Sequence, residues 1–374
     1  MGSKASMLGN GLGDLIVENS SAADRVVDLF AGSGAISWFS AQMTDRPVLA
    51  IDLQAYAMIL ARSVISRTTA INARRLETSW LDTADAARRA SQAWTSWPQR
   101  NGKLRKKDVL EARRVCSSEY RGVTWSVYGG HYFSPRQAET IDSLLKHLPI
   151  RDPHRTVCHA ATILAASRCA ASPGHTAQPF SPTPGGLIAI HDAWKVDPLE
   201  AARSALRSLA TRFARRRGLA RVADAVTAAA ELRESDLVIV DPPYSDVQYS
   251  RFYHVLETVA TGATFEATGA GRYPPFESRP RSDFSLVSQS ANAFGELLKH
   301  LSQAGARTIL TFPSGNSSNG LSGNAVTELA AEFFTIEARR IESRFSTLGG
   351  NHDGRPPRKG TEELILVLSP RDRV

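Results

Sequence analysis

The apolar run Leu237-Val238-Ile239-Val240 stops at Asp241-Pro242-Pro243-Tyr244, and no other stretch limits the fold of this chain as sharply. An unbroken aliphatic run bounded by turn residues reads as a strand buried on both faces, of the kind found in parallel sheets covered by helices. Proline fixes φ and has no N–H, so Pro242 and Pro243 end the strand and keep Asp241 extended at its tip. A second short run, Val26 to Leu29 (Val26-Val27-Asp28-Leu29), enters Phe30-Ala31-Gly32-Ser33-Gly34, a tight turn with a helix expected from Ala35. A third, Pro47 to Asp52-Leu53, ends in an acid about twenty residues beyond that turn. Strand, turn, helix and strand at this spacing predict an α/β fold.

Each strand end carries chemistry. Gly32 and Gly34 let the backbone approach a ligand closely, as in other strand–turn–helix nucleotide sites. The third glycine of a dinucleotide fingerprint is missing, because position 37 is Ser37, and this argues against a pyrophosphate cradle. Asp52 stands where an acid reaches a ribose hydroxyl pair, although a strand-end Asp is ordinary by itself. Asp241 and the Pro242 carbonyl can both accept hydrogen bonds from an NH2 group, while Tyr244 stacks on a planar ring. Taken alone, the tetrapeptide is equally an ordinary turn after a strand.

Together these residues resemble a known family. Asp28-Leu-Phe-Ala-Gly-Ser-Gly34 resembles the first motif of S-adenosylmethionine-dependent methyltransferases, and Val240-Asp-Pro-Pro-Tyr244 the catalytic motif of the amino-methyltransferases that modify adenine N6. Leu8-Gly-Asn-Gly-Leu-Gly-Asp-Leu15 is similar to the N-terminal motif of Dam-like enzymes, and Tyr128 to Gln137 to a segment of a related branch. The chain thus resembles the DNA adenine-N6 methyltransferases of the Dam-like family.

The resemblance implies a Rossmann-like methyltransferase sheet with a terminal antiparallel hairpin, expected at 335–345 and 362–368, and a largely helical inserted lobe. It implies S-adenosylmethionine as cofactor, with Asp28, Phe30, Ala31, Gly32, Ser33 and Gly34 around its methionine portion. Asp52 and Leu53 fall at the ribose, and Asp224 and Ala225 at the cofactor adenine. Asp241, Pro242, Pro243 and Tyr244 are the implied catalytic residues, and no metal is required. The implied substrate is an adenine flipped out of double-stranded DNA within a specific sequence. An RNA adenine-N6 methyltransferase uses the same tetrapeptide, and a catalytically silent nucleic-acid-binding subunit is the alternative from another class. Asp241 speaks against protein-glutamine and cytosine-N4 enzymes, which carry Asn or Ser there.

About 170 residues separate Asp52 from Asp224, where a bare core needs roughly one helix. The expected partition is therefore a catalytic domain from 1–70 and 218–374, with 71–217 as a helical insertion and DNA-recognition lobe. Dam-like enzymes usually place their recognition region after the third strand; here the insertion comes before it. Helices are expected at 108–119, 134–148, 155–171 and 199–217, with loops at 172–186, 261–290 and 349–360. Tyr249 and Arg251 are read as lining the base pocket or holding the flipped strand, and Pro173 to Pro179 as the active-site rim or a DNA contact.

The chain carries 45 Lys+Arg against 37 Asp+Glu, a formal net charge of +8 that suits a polyanionic partner. Arg212, Arg215, Arg216, Arg217 and Arg221, and the run from Arg100 to Lys107, read either as phosphate-contacting strips or as solvated helix faces. Trp80, Trp94 and Trp97 lie in a polar setting just before that run. Cys116, Cys158 and Cys169 show no paired spacing, which disfavours disulfides and a zinc site and fits a reducing cytoplasm. No apolar run is long enough to span a membrane. A role in restriction–modification or phage defence, with separate subunits for cleavage, or in genome maintenance is compatible with all of this.

Overall fold

The computed structural model describes residues 4–91, 102–344 and 360–371; Trp94, Trp97, Arg100 and most of the loop expected at 349–360 lie outside the described residues. Its centre is a sheet of seven strands: Arg25–Asp28 (β1), Val48–Asp52 (β2), Leu219–Val222 (β3), Asp236–Val240 (β4), Arg307–Pro313 (β5), Phe334–Arg344 (β6) and Gly360–Pro370 (β7). They lie in the order β3-β2-β1-β4-β5-β7-β6. The pairs among β1 to β5 are parallel, and β7 runs antiparallel to both β5 and β6. The expected α/β class and terminal hairpin are borne out.

Side chains alternate across the sheet. Val26, Leu237 and Ile239 join one apolar cluster, while Val27, Val238 and Val240 join another on the opposite face. Cover on both faces is why these strands read as unbroken aliphatic runs. Burying each such side chain contributes about 1.5–3 kcal/mol, so a slip of one residue would be costly. The short strand around Arg221 tolerates a cation because β3 is an edge, and Arg221 pairs there with Glu231 at 2.8 Å.

Between β2 and β3 the described residues are mainly helical, with main segments Lys106–Ser118, Pro135–Lys146, His154–Cys169, Pro184–Lys195 and Pro198–Ala210. Ser134 and Gln137 form a capping box at the start of the second, with Pro135 at its first turn. Small residues of His154–Cys169, among them Ala160, Ala161 and Ala165, are buried in the same apolar cluster as Val26 and Ile239. The insertion and the sheet therefore share a core.

Three local expectations change. The helix expected to reach residue 217 ends at Ala210. Beyond it the Arg215 N–H donates to the Ala41 carbonyl (2.8 Å) and the Gly218 N–H to that of Ile65 (2.7 Å), steering the chain into β3. A Cβ at Gly218 would lie 2.3 Å from the Val48 carbonyl oxygen, so only glycine permits this approach. The arginine run is thus not one helix face: Arg216 pairs with Asp45 at 2.9 Å and Arg212 lies 5.4 Å from the Trp38 ring centre.

Next, no residue of Pro173 to Pro179 is among those that line the cavity at the strand ends. Thr176 donates through both N–H and Oγ1 to the Phe252 carbonyl (2.7 Å each), and His175 packs on the Phe252 ring at 4.7 Å.

Finally, the loop expected at 261–290, poor in aliphatics, is pinned by polar contacts. Tyr132 Oη donates to the Gly271 carbonyl (2.9 Å), Tyr273 Oη to that of Ala177 (2.5 Å), and Gln248 exchanges hydrogen bonds with Ser282 (2.8 and 2.7 Å). No helix among the described residues is long and apolar enough to cross a membrane.

Candidate active site

The strand order reverses between β1 and β4, and in such sheets the connections diverge and leave a crevice at the C-terminal strand ends. There a cavity of about 580 Å³ opens, a size typical of small-molecule sites.

One half of its wall is built by β1, β2 and the turn after β3. Phe30, Ala31, Gly32 and Ser33 line it, and Gly32 has φ +49°, a left-handed conformation that favours glycine. The Gly32 N–H donates to Asp52 Oδ2 (2.9 Å) and the Gln54 N–H to Asp52 Oδ1 (2.9 Å), so the acid at the end of β2 holds the loop after β1. Burial pushes the Asp52 carboxyl up, against the pull of these backbone donors. Leu53, Asp224 and Ala225 complete this side. Asp224 caps the following helix, its Oδ1 accepting the N–H groups of Val226 (2.9 Å) and Thr227 (3.1 Å).

Asp28 and Gly34 stand behind this wall. Asp28 is fully buried; Oδ2 accepts from Ser37 Oγ at 2.6 Å, while Oδ1 takes no hydrogen bond among the described residues. Burial pushes its carboxyl up to about 7. The serine that replaces the third glycine of a dinucleotide loop is therefore the anchor of Asp28.

The other half is built by β4, β5, β7 and the N-terminal segment. Val240 is level with Leu310, so Asp241 falls beside Thr311, whose Oγ1 donates to Asp241 Oδ1 (2.7 Å). Lys4 Nζ lies 3.0 Å from the same oxygen, 3.5 Å from Glu363 Oε2 and 5.9 Å from the Tyr244 ring centre. Burial would lower the Lys4 pKa, but Asp241 and Glu363 outweigh it and hold it raised. Glu363 is itself buried, and burial pushes its carboxyl up. Asn319 Nδ2 donates to the Pro243 carbonyl (3.2 Å), whereas no described residue donates to that of Pro242. Tyr244 meets Phe312 edge-on at 6.5 Å, and Tyr249 stacks on Tyr253 at 6.3 Å.

The cavity thus brings together Phe30 to Ser33, Asp52, Leu53, Asp224 and Ala225 with Asp241, Pro242, Pro243 and Tyr244. Tyr249 also lines it; Arg251 turns instead to Tyr273, bonding its hydroxyl at 3.1 Å. Sequence reading missed Lys4, Gln54 and Glu363, which line the cavity, and Thr311 beside it. Gln54 follows Asp52 closely enough to have been a candidate; its Nε2 is buried with no partner among the described residues. Lys4 and Glu363 carry no local signal, since nothing near them in sequence marks a lone charge as functional.

Residues 197–309 match the family model of the D12 class N6 adenine-specific DNA methyltransferases. No curated protein matches the chain. The matched span holds Asp224, the whole of β4, the Asp241–Tyr244 turn and the start of β5, and the Gly32 loop falls outside it. The match over residues 197–309 and the strand order bear out the resemblance to the Dam-like adenine-N6 methyltransferases.

Proposed function

We propose that this chain methylates the N6 amine of an adenine flipped out of double-stranded DNA, within a defined target sequence, with S-adenosylmethionine as donor. The observation that carries the reading is one cavity holding both the Asp52–Gly32 loop contact and the Asp241-Pro242 strand tip. S-adenosylmethionine, when bound, supplies an electrophilic methyl group. The residues present fit it. Gly32, in a left-handed conformation, brings its loop to the cavity without a side chain, Asp52 and Asp224 keep acceptor capacity for hydroxyl and amine donors, and the Gln54 amide has a donor to give.

Adenine N6 is a poor nucleophile because its lone pair is delocalised into the ring. Asp241 and the Pro242 carbonyl, side by side at the strand tip, accept its two hydrogens and favour tetrahedral character at nitrogen. Thr311 orients Asp241 from behind, and Lys4 offsets the negative charge that Asp241 and Glu363 concentrate there. Tyr244 offers its ring to the extruded base. The rate enhancement then rests on positioning and preorganised acceptors. In this reading 1–70 and 218–374 form the catalytic unit, and the insertion 71–217 supplies recognition of the duplex.

The test is transfer of labelled methyl to unmethylated genomic DNA, with product nucleosides identified by mass spectrometry. N6-methyladenine from the wild type, and none from an Asp241→Ala variant that still binds S-adenosylmethionine, is the expected result. Cofactor binding without any methylated adenine in DNA would refute it.

A further inference from the structure

The segment 273–281 carries an alternation of cations and rings that the reaction itself does not use. Arg251 lies 5.3 Å and Arg279 5.5 Å from the Tyr273 ring centre; Arg279 lies 5.2 Å and Arg281 4.9 Å from that of Phe276. The series runs Arg251, Tyr273, Arg279, Phe276, Arg281. Among the described residues no carboxylate pairs with any of the three arginines, although Glu277 on the segment and Asp283 just beyond it are exposed. Arg279 Nε is buried and has no hydrogen-bond partner there. Phe276, between two of these cations, is 54% exposed.

Guanidinium groups gathered without counter-ions repel one another, and ring stacking offsets that repulsion only in part. Arg251 Nε is spent on the Tyr273 hydroxyl (3.1 Å), but no described carboxylate takes the guanidinium N–H groups of Arg279 and Arg281, which suit hydrogen bonds to phosphate oxygens. An exposed ring between cations is also a platform on which a base can stack. The segment runs directly into the cavity wall, since Pro280 and Ser282 line it.

We propose that Arg251, Arg279 and Arg281, spaced by Tyr273 and Phe276, grip the sugar–phosphate backbone of the DNA strand that carries the flipped adenine. This rests on the function proposed above. The grip is independent of sequence and sets how the strand lies across the cavity mouth.

The test measures binding of the full chain to a fluorescent unmethylated duplex across a series of salt concentrations, for the wild type, the exposed-site variant Arg281→Gln and the double variant Arg279→Gln/Arg281→Gln. Expected is a slope of log K against log[salt] less steep by about one and about two respectively, with affinity in the double variant about 10- to 100-fold weaker on every sequence tried. S-adenosylmethionine affinity should be unchanged in both, which separates the effect from misfolding. Unchanged slopes in variants of an enzyme that methylates DNA would overturn the grip and leave the methylation reading intact. A wild type that binds cofactor but methylates no DNA would overturn both. With an RNA of the same sequence titrated alongside, slopes that respond to the substitutions only on RNA would overturn DNA as the partner of this surface.

Discussion

Lys4 Nζ lies 3.0 Å from Asp241 Oδ1, joining the first described residue of the chain to the tip of the fourth strand. With Glu363 at 3.5 Å from the same ammonium, one cation stands between two carboxylates in a largely buried place. Lys4→Met should leave Asp241 and Glu363 facing each other uncompensated, costing about 1–3 kcal/mol of stability and about 10-fold in kcat. Thermal unfolding and methyl-transfer rates check this. Adding Glu363→Gln should recover part of the lost stability, because the repulsion is then gone. A Lys4→Met chain that melts and turns over like the wild type would show the contact to be idle.

Thr311 supplies a hydroxyl donor to Asp241 from the neighbouring strand. Thr311→Val keeps the shape and removes a hydrogen bond to a charged acceptor, worth about 1.5–3 kcal/mol. If that bond orients Asp241 for the reaction, single-turnover rates fall about 10- to 100-fold while S-adenosylmethionine affinity holds. Loss of cofactor binding in this variant would place the role of Thr311 elsewhere.

The Asp28 carboxyl, pushed up to about 7 by burial, makes stability depend on pH with a definite sign. The folded protein holds that proton more tightly than the unfolded chain, so the contribution of Asp28 to stability falls as pH rises from about 4 to about 7. Asp28→Asn removes this dependence and can still accept from Ser37. Urea unfolding should show the variant gaining about 2–4 kcal/mol on the wild type between pH 5 and pH 8. Parallel pH profiles for the two proteins would mean that Asp28 is better compensated than its unpartnered Oδ1 indicates.

Gln54 brings a buried, unpartnered amide to the cavity wall. A buried donor without a partner costs stability, so Gln54→Leu should leave the ligand-free melting temperature equal or higher. The same change should weaken S-adenosylmethionine about 10-fold by calorimetry, if the amide's partner is the cofactor. Undiminished cofactor affinity would remove Gln54 from the binding site.

Much of the frame was legible because its causes are local. The proline pair after Val240, the left-handed glycine after β1 and the aliphatic alternation of β1 and β4 each act within a few residues. Helix starts were legible where a cap was strong, as at Ser134, and missed where the surroundings read as loop, as at Thr183, whose side chain accepts from the Gly186 N–H. The loop 261–290 misled because its order comes from hydrogen bonds with Tyr132, Ala177 and Gln248, and a scarcity of aliphatics cannot reveal polar anchors. The arginine run 212–221 misled for a related reason: its partners, Asp45, Trp38 and Glu231, stand on other elements.

By itself, then, the sequence determined where strands end and what chemistry each end presents: Gly32 and Asp52 on one side, Asp241 and Pro242 on the other. Backbone sterics and side-chain periodicity operate over short stretches, and a reader of the chain sees them directly. Only the tertiary structure decided which lone charges meet. β4 lies between β1 and β5, and β7 lies antiparallel to β5 with Glu363 level with Pro313; that arrangement carries Glu363 to Lys4 and Thr311 to Asp241. Pairings across such separations depend on strand order and register, which no local pattern encodes.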